Sequence, residues 1–208
     1  MPSADFKTKL TQFNEFFSIE HPFSVNISLI DSNKIPDNKT FIQQIPLPFK
    51  IASDIVTLDQ TALKPLQNIG NSANQLVEYL HHQTKKIDLL VGYIISQQDN
   101  EQQRFQGIKF GGGGIIFKTT QHFNLGDILE LKIFLQNNTY AVYCIGEIIE
   151  YLDAEEKEEK TTKLYPKQYK VVFHLIREED REALVRNSLH EQSKQLQALT
   201  KQRANIQA

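Results

Sequence analysis

Phe110-Gly111-Gly112-Gly113-Gly114-Ile115-Ile116-Phe117 is the stretch on which the reading of this chain turns. Four consecutive glycines separate two short apolar runs. Without a Cβ, such a run permits positive φ and close approach of another segment. A bulge or tight turn between two strands is one reading. A phosphate nest of exposed backbone N–H groups is another. The Lys-Ser or Lys-Thr that closes a mononucleotide P-loop is replaced by Ile115-Ile116, so that motif fails.

Working outward, strands are expected over residues 104–110, 115–119, 128–135, 140–151 and 168–173. The glycine run, Gly126-Asp127 and Asn137-Asn138 supply turns between them. Short strands punctuated this way argue a small antiparallel barrel. The charge run Asp153-Ala154-Glu155-Glu156-Lys157-Glu158-Glu159-Lys160 reads as a solvated hairpin loop. Far upstream, Phe23, Val25, Ile27 and Leu29 alternate with Ser24, Asn26 and Ser28, the period of a strand. A turn-rich stretch over 31–39 leads to a second strand candidate at 40–45. Pro46-Leu47-Pro48-Phe49 then interrupts any ladder. So few strands do not stand alone. They are expected to pack on the barrel, covering an edge or forming a docking surface.

Between these regions the pattern is helical. Asp59 or Thr61 can cap a helix running to Gln98, with Pro65 near its first turn. Leu66, Ile69, Ala73, Leu76, Leu80, Gln83, Ile87, Leu90 and Ile94 step by alternating threes and fours. That is a heptad seam with one polar member, Gln83. It fits a homo-oligomer, dimer or tetramer, assembled through this helix. It also fits a long core helix lying on its own domain. From Glu178 onward a second, weaker seam runs through Val185, Leu189, Gln192, Leu196 and Leu199, and can join the assembly. The expected organisation is a strand-containing segment over 1–58, the heptad helix over 59–98, the barrel over 99–176 and a C-terminal helix over 177–208.

The bulk numbers exclude several classes. The chain has 208 residues and a formal net charge of -2, which gives no pull toward a nucleic acid polymer or an anionic membrane. One cysteine, Cys144, allows no internal disulfide and fits a reducing compartment. Its setting among alternating apolar residues reads as a buried structural thiol. The longest apolar stretch, around Leu89 to Ile95, falls short of the ~18 residues a membrane span needs. The N-terminus lacks a signal-peptide pattern, so a soluble, cytoplasmic protein is expected. His21, His81, His82, His122, His174 and His190 occupy no metal-ligand spacing. No nucleophile, base and orienter can be assembled. The chain therefore reads as no enzyme, with no cofactor required.

The glycine run with its flanking residues, followed by Leu125-Gly126-Asp127-Ile128-Leu129-Glu130-Leu131, resembles the PilZ domain. So do Tyr169-Lys170-Val171-Val172-Phe173 and the helix start Ile176-Arg177-Glu178-Glu179-Asp180-Arg181-Glu182-Ala183-Leu184. The resemblance covers about residues 103–190. It implies a six-stranded antiparallel β-barrel. With the added helices the fold class is mainly β with long α-helices (α+β). It further implies a bacterial signalling role in which cyclic di-GMP is a possible ligand. The preceding helix resembles that of atypical members that assemble through added helices. The implied partner is a protein of a motility, pilus or envelope polysaccharide system.

The departures from that family bear on the ligand. Its members hold cyclic di-GMP with RxxxR and (D/N)xSxxG. Aligned on the glycine turn, Lys109 stands at the acidic or amide position and Gly111 at the serine; Gly114 alone matches. Lys109 and Gly111 cannot reproduce the hydrogen bonds of Asp and Ser. Upstream, Arg104 has no arginine partner, and Lys85-Lys86 on the helix cannot fork onto phosphate as arginines do. The spacing Arg177 to Arg181 encloses three acidic residues and reads as a helix start with charges complementing the dipole. Three functions remain in view. One is an adaptor working through protein–protein contacts. Another is a cyclic di-GMP receptor with a non-standard site of Arg104, Lys109, Gly111 and Gly114. The last is an unrecognised enzyme.

Overall fold

The alternation from Phe23 to Leu29 is realised as β1 (Ser18–Ile30), a strand of 13 residues with Val25 and Ile27 buried inward. Its partners lie far away in sequence. In the computed structural model, which describes residues 4–63, 74–135, 140–152 and 166–206, β1 pairs with β2 (Arg104–Gly111) and β4 (Ile128–Leu135). With β3 (Gly114–Thr119), β5 (Tyr140–Leu152) and β6 (Lys167–Leu175), a closed barrel forms in the order β1-β2-β3-β6-β5-β4. Every pairing is antiparallel. The N-terminal segment thus supplies a strand of the barrel itself, and closure leaves no open edge to cover. Register slips between Glu20 and Phe23, which places Pro22 where the ladder is interrupted.

Residues 40–45, expected as a strand, form a helix instead. In α2 (Asn38–Gln44) the Asp37 carboxylate caps the first turn, accepting from the Thr40 N–H at 2.8 Å. Phe41 and Ile45 are four residues apart and both buried, which is helical rather than strand spacing. Pro46-Leu47-Pro48, expected only as a break, opens α3 (Leu47–Leu63) with proline in the first turn, where its missing N–H costs nothing. Asp59 and Thr61 therefore lie inside α3 and not at the start of a helix. The expected heptad helix corresponds to α3 over 59–63 and to α4 (Asn74–Ser96). Pro65, Leu66, Ile69 and Ala73 lie outside the described residues.

Phe41, Phe49, Ala52, Val91 and Ile95 of these helices pack on the outer face of β4 and β5, against Phe134, Ala141, Tyr143 and Ile145. The inner face of the same strands carries Leu129, Leu131, Ile133, Val142 and Cys144. Both faces are covered, which explains the nearly continuous apolar run in β5. Each large side chain buried in the outer layer contributes roughly 1.5–3 kcal/mol. An unanticipated helix, α1 (Ala4–Asn14), lays Phe13, Leu10 and Phe6 on Ile116, Ile149 and Val172. The C-terminal helix, α5 (Glu178–Ile206), begins at the expected residue and joins Ala183 and Leu184 to the barrel core. Among the described residues no helix is long and apolar enough to cross a membrane.

Candidate functional site

The glycine run forms the β2–β3 turn, and none of its glycines has positive φ; Gly126, at φ 86°, does. What requires glycine here is contact. A Cβ on Gly112 would lie 2.6 Å from Val185 Cγ2 and 2.8 Å from the Phe16 ring. One on Gly113 would meet the Phe13 and Gln12 carbonyl oxygens at 2.5 and 2.8 Å. On Gly114 it would run into the Val171 carbonyl oxygen and the Phe13 ring, and on Gly111 into the Phe17 carbonyl oxygen. The end of α1, its connection to β1 and the start of α5 therefore lie directly on the turn. Gly112 O accepts from Arg181 Nη1 at 2.6 Å, and Gly113 O accepts from the Phe173 N–H at 3.0 Å. The Arg181 guanidinium also sits 5.2 Å from the Phe16 ring centroid. A groove of ≈ 330 Å³ beside it is lined by Phe16, Glu178, Arg181, Glu182, Val185 and Arg186.

Arg104 stands at the other end of β2. Gly111 is seven residue steps further along the strand, about 23 Å at the rise of a strand. Its Nε donates to Asp99 Oδ1 at 3.1 Å and its Nη2 lies 2.8 Å from Oδ2. The Asp99 hydrogen bond, then its charge, raise the guanidinium pKa further. Asp99 also accepts from Asn26 Nδ2 at 2.9 Å, while Asn26 Oδ1 accepts from the Asn100 N–H at 2.7 Å. Arg104 is thus part of a network tying the end of α4 to β1. Lys109 lies mid-strand, half-buried, opposite Glu20 on one side and Ile116 on the other. Of the four expected ligand residues, Gly111 and Gly114 come together, and Arg104 is remote from them.

The heptad residues fall differently. Val91 and Ile95 turn α4 toward the barrel. Leu76, Ile87, Leu90 and Ile94 lie on another face and are 56, 46, 65 and 43% exposed. Leu80 is half-buried. The apolar stripe is therefore not consumed by the chain's own core. On α5, Leu189, Leu196 and Leu199 are exposed as well.

A buried polar cluster joins α3 to α5. Arg177 forks onto Asp180 at 2.9 and 3.2 Å and approaches Asp54 at 3.7 Å. Ser53 and Asp180 are both almost fully buried. Burial pushes the Asp180 carboxyl above its ordinary value, against the pull of the Arg177 and Ser53 hydrogen bonds. Burial likewise pushes the Cys144 thiol well up, as suits a structural cysteine. No group of metal ligands occurs among the described residues.

Sequence reasoning missed Asn26 and the Phe13–Phe16 cover. Asn26 occupies a polar slot in an alternating strand, which reads as solvent-facing, yet it is buried. Its partners are more than 70 positions away, beyond any local signal. The spacing of Phe6, Leu10, Phe13 and Phe16 by fours and threes in an otherwise polar N-terminus carried a usable hint.

No protein-family model matches the chain, and no curated protein matches its sequence. Solved structures do match. A pathogenic protein from Xanthomonas campestris, described as a tetrameric PilZ domain self-assembled via an unusual helical bundle, aligns over 90% of this chain and 96% of its own. The TM-score is 0.54 and the identity 12%. The Bacillus subtilis inhibitor of motility MotI/DgrA overlaps 46% of this chain and 44% of its own, at 16% identity and TM-score 0.38. The PilZ domain of Escherichia coli YcgR, solved with cyclic di-GMP, overlaps 48% and 82%, at 12% identity and TM-score 0.38. Barrel order, antiparallel pairing and the near full-length alignment with the Xanthomonas structure agree: this chain carries a PilZ-like domain, a six-stranded barrel framed by added helices.

Proposed function

We propose that this protein is a non-enzymatic signalling adaptor of the cytoplasm, which self-assembles through α4 and acts through protein–protein contacts. The observation that carries the reading is the exposed stripe of Leu76, Ile87, Leu90 and Ile94, on a helix already anchored to the barrel by Val91 and Ile95. A monomer leaving so much apolar surface on one helix would be unusual. The helical-bundle assembly of the Xanthomonas protein adds weight. The partner outside the assembly belongs, in this reading, to a motility, pilus or envelope polysaccharide system. Loss of the usual cyclic di-GMP contacts is supported by Lys109 and Gly111 at the motif positions and by the side chains lying on the turn.

The test pairs a solution mass with a titration. Light scattering should give a multiple of 24.0 kDa that falls when Leu76 and Leu90 are replaced by Lys. Calorimetric titration with cyclic di-GMP should show no micromolar binding. A monomeric wild type would remove the assembly, and tight binding at the barrel would remove the ligand-free adaptor. In the second reading, a receptor with a non-standard site, Arg104→Ala with Lys109→Ala should abolish that binding. The position of Arg104, held by Asp99 about 23 Å along the strand from the turn, favours the adaptor.

A further inference from the structure

We propose that the groove between Phe16 and the first two turns of α5 docks a basic amphipathic helix of a partner protein. The inference rests on the adaptor reading and assigns it the surface that takes hold of the partner.

The groove is apolar at its floor and acidic at its rim. Phe16 and Val185 line the floor and are only half-buried by the chain's own packing. The apolar surface continues on either side. Phe17 is 39% exposed, and Leu189, one turn after Val185 on the same side of α5, is 46% exposed. A volume of ≈ 330 Å³ stands at the small end of ligand pockets, which span about 300–1,000 Å³, and suits one or two anchoring side chains. Charge selects what carries those anchors. Glu178 and Glu182 line the rim with side chains 73 and 63% exposed. Glu15 and Glu179, each next in sequence to a lining residue, are exposed as well. Dipole complementarity accounts for Glu178 and Glu179, but not for Glu15, which lies outside the helix. Against these four carboxylates stand two guanidinium groups. Arg181 is turned inward, donating to Gly112 O and lying on the Phe16 ring. Arg186 lies 3.4 Å from Glu182. The α5 dipole adds about half a positive charge at this end, which leaves the rim negative. An acidic rim disfavours a cyclic dinucleotide and an anionic membrane alike. It favours a helix whose apolar anchors are flanked by lysine or arginine.

Fluorescence anisotropy of the full chain with two labelled synthetic helical peptides tests this. Both carry leucine at positions i, i+3, i+4 and i+7; one has lysine at the remaining positions and the other glutamate. At low ionic strength the lysine peptide should bind at least about tenfold tighter, and added salt should narrow the gap. Glu178→Gln with Glu182→Gln should weaken the lysine peptide about three- to tenfold. Glu101→Lys changes the net charge equally at an exposed site by the other end of β2, and should leave its binding unchanged. Val185→Thr keeps the shape of the floor but adds a hydroxyl, and should also weaken the lysine peptide, with circular dichroism confirming the fold. A lysine peptide that fails to bind, or binds no tighter than the glutamate peptide, overturns the proposal. So does an equal loss in Glu101→Lys and the paired glutamine variant. A lysine peptide that lowers the light-scattering mass overturns it too, because the groove would then hold a second copy. Those outcomes leave the adaptor reading itself standing; that reading falls on tight cyclic di-GMP binding at the barrel.

Discussion

Replacing Gly114 by alanine probes the closure of the β2–β3 turn with a single carbon. The added Cβ meets the Val171 carbonyl oxygen across the β3–β6 ladder and lies 2.8 Å from the Phe13 ring. The ring can rotate, but the carbonyl is fixed by pairing of Gly114 with Val172. Overpacking of this kind costs about 1–3 kcal/mol, and a backbone obstacle puts it near the upper end. For a chain of this size, about 3 kcal/mol lowers the melting temperature by roughly 6–12 °C. Gly126→Ala is the internal control. Its φ is 86° and its Cβ meets nothing within 4 Å, so only backbone strain of about 1–2 kcal/mol applies. Adding Phe13→Ala to Gly114→Ala should not restore stability, because Val171 remains. The assay is thermal unfolding at one fixed protomer concentration, since assembly shifts the midpoint. Gly114→Ala melting within 1–2 °C of wild type, or above Gly126→Ala, would refute the covered turn.

Asp180→Ala should destabilise by about 3 kcal/mol in urea unfolding, because the half-buried Arg177 guanidinium loses its forked partner and keeps only Asp54 at 3.7 Å. The apolar pair Arg177→Met with Asp180→Leu should recover most of that loss. Ile95→Ala, at a fully buried site between α4 and the barrel, should cost about 2–5 kcal/mol in the same assay. Asp37→Ala should lower the melting temperature at neutral and mildly acidic pH, and not in strong acid. The Thr40 hydrogen bonds hold the Asp37 carboxyl below its ordinary 3.8, so its contribution is present above that value. The difference from wild type should close as pH falls through the lower folded-state value.

Much of the barrel was legible because its information is local. Alternation in residues 23–29, the glycine run and the Gly126-Asp127 turn each mark an element without reference to a partner. The C-terminal helix announced itself through Glu178, Glu179 and Asp180 at its first turn. Residues 40–45 misled because Phe41 and Ile45 admit either period over so short a span; the Asp37 cap decided it. Pro46 and Pro48 read as a break because proline marks the first turn of a helix as readily as its end. The expected ligand residues were chosen by spacing along the chain, and spacing does not tell which end of a strand faces which segment.

The amino-acid sequence by itself determined the kind of elements, the barrel and the apolar stripe of α4, since periodicity and turn chemistry are properties of neighbouring residues. Only the tertiary structure decided that β1 closes the barrel, that Phe13 and Phe16 lie on the glycine turn, and that Asp99 claims Arg104. It also decided that Val91 and Ile95 face the barrel while Leu76, Ile87, Leu90 and Ile94 are left exposed. The physical reason is that burial is set by what approaches from elsewhere in the chain, and a side chain's own pattern records only that something must.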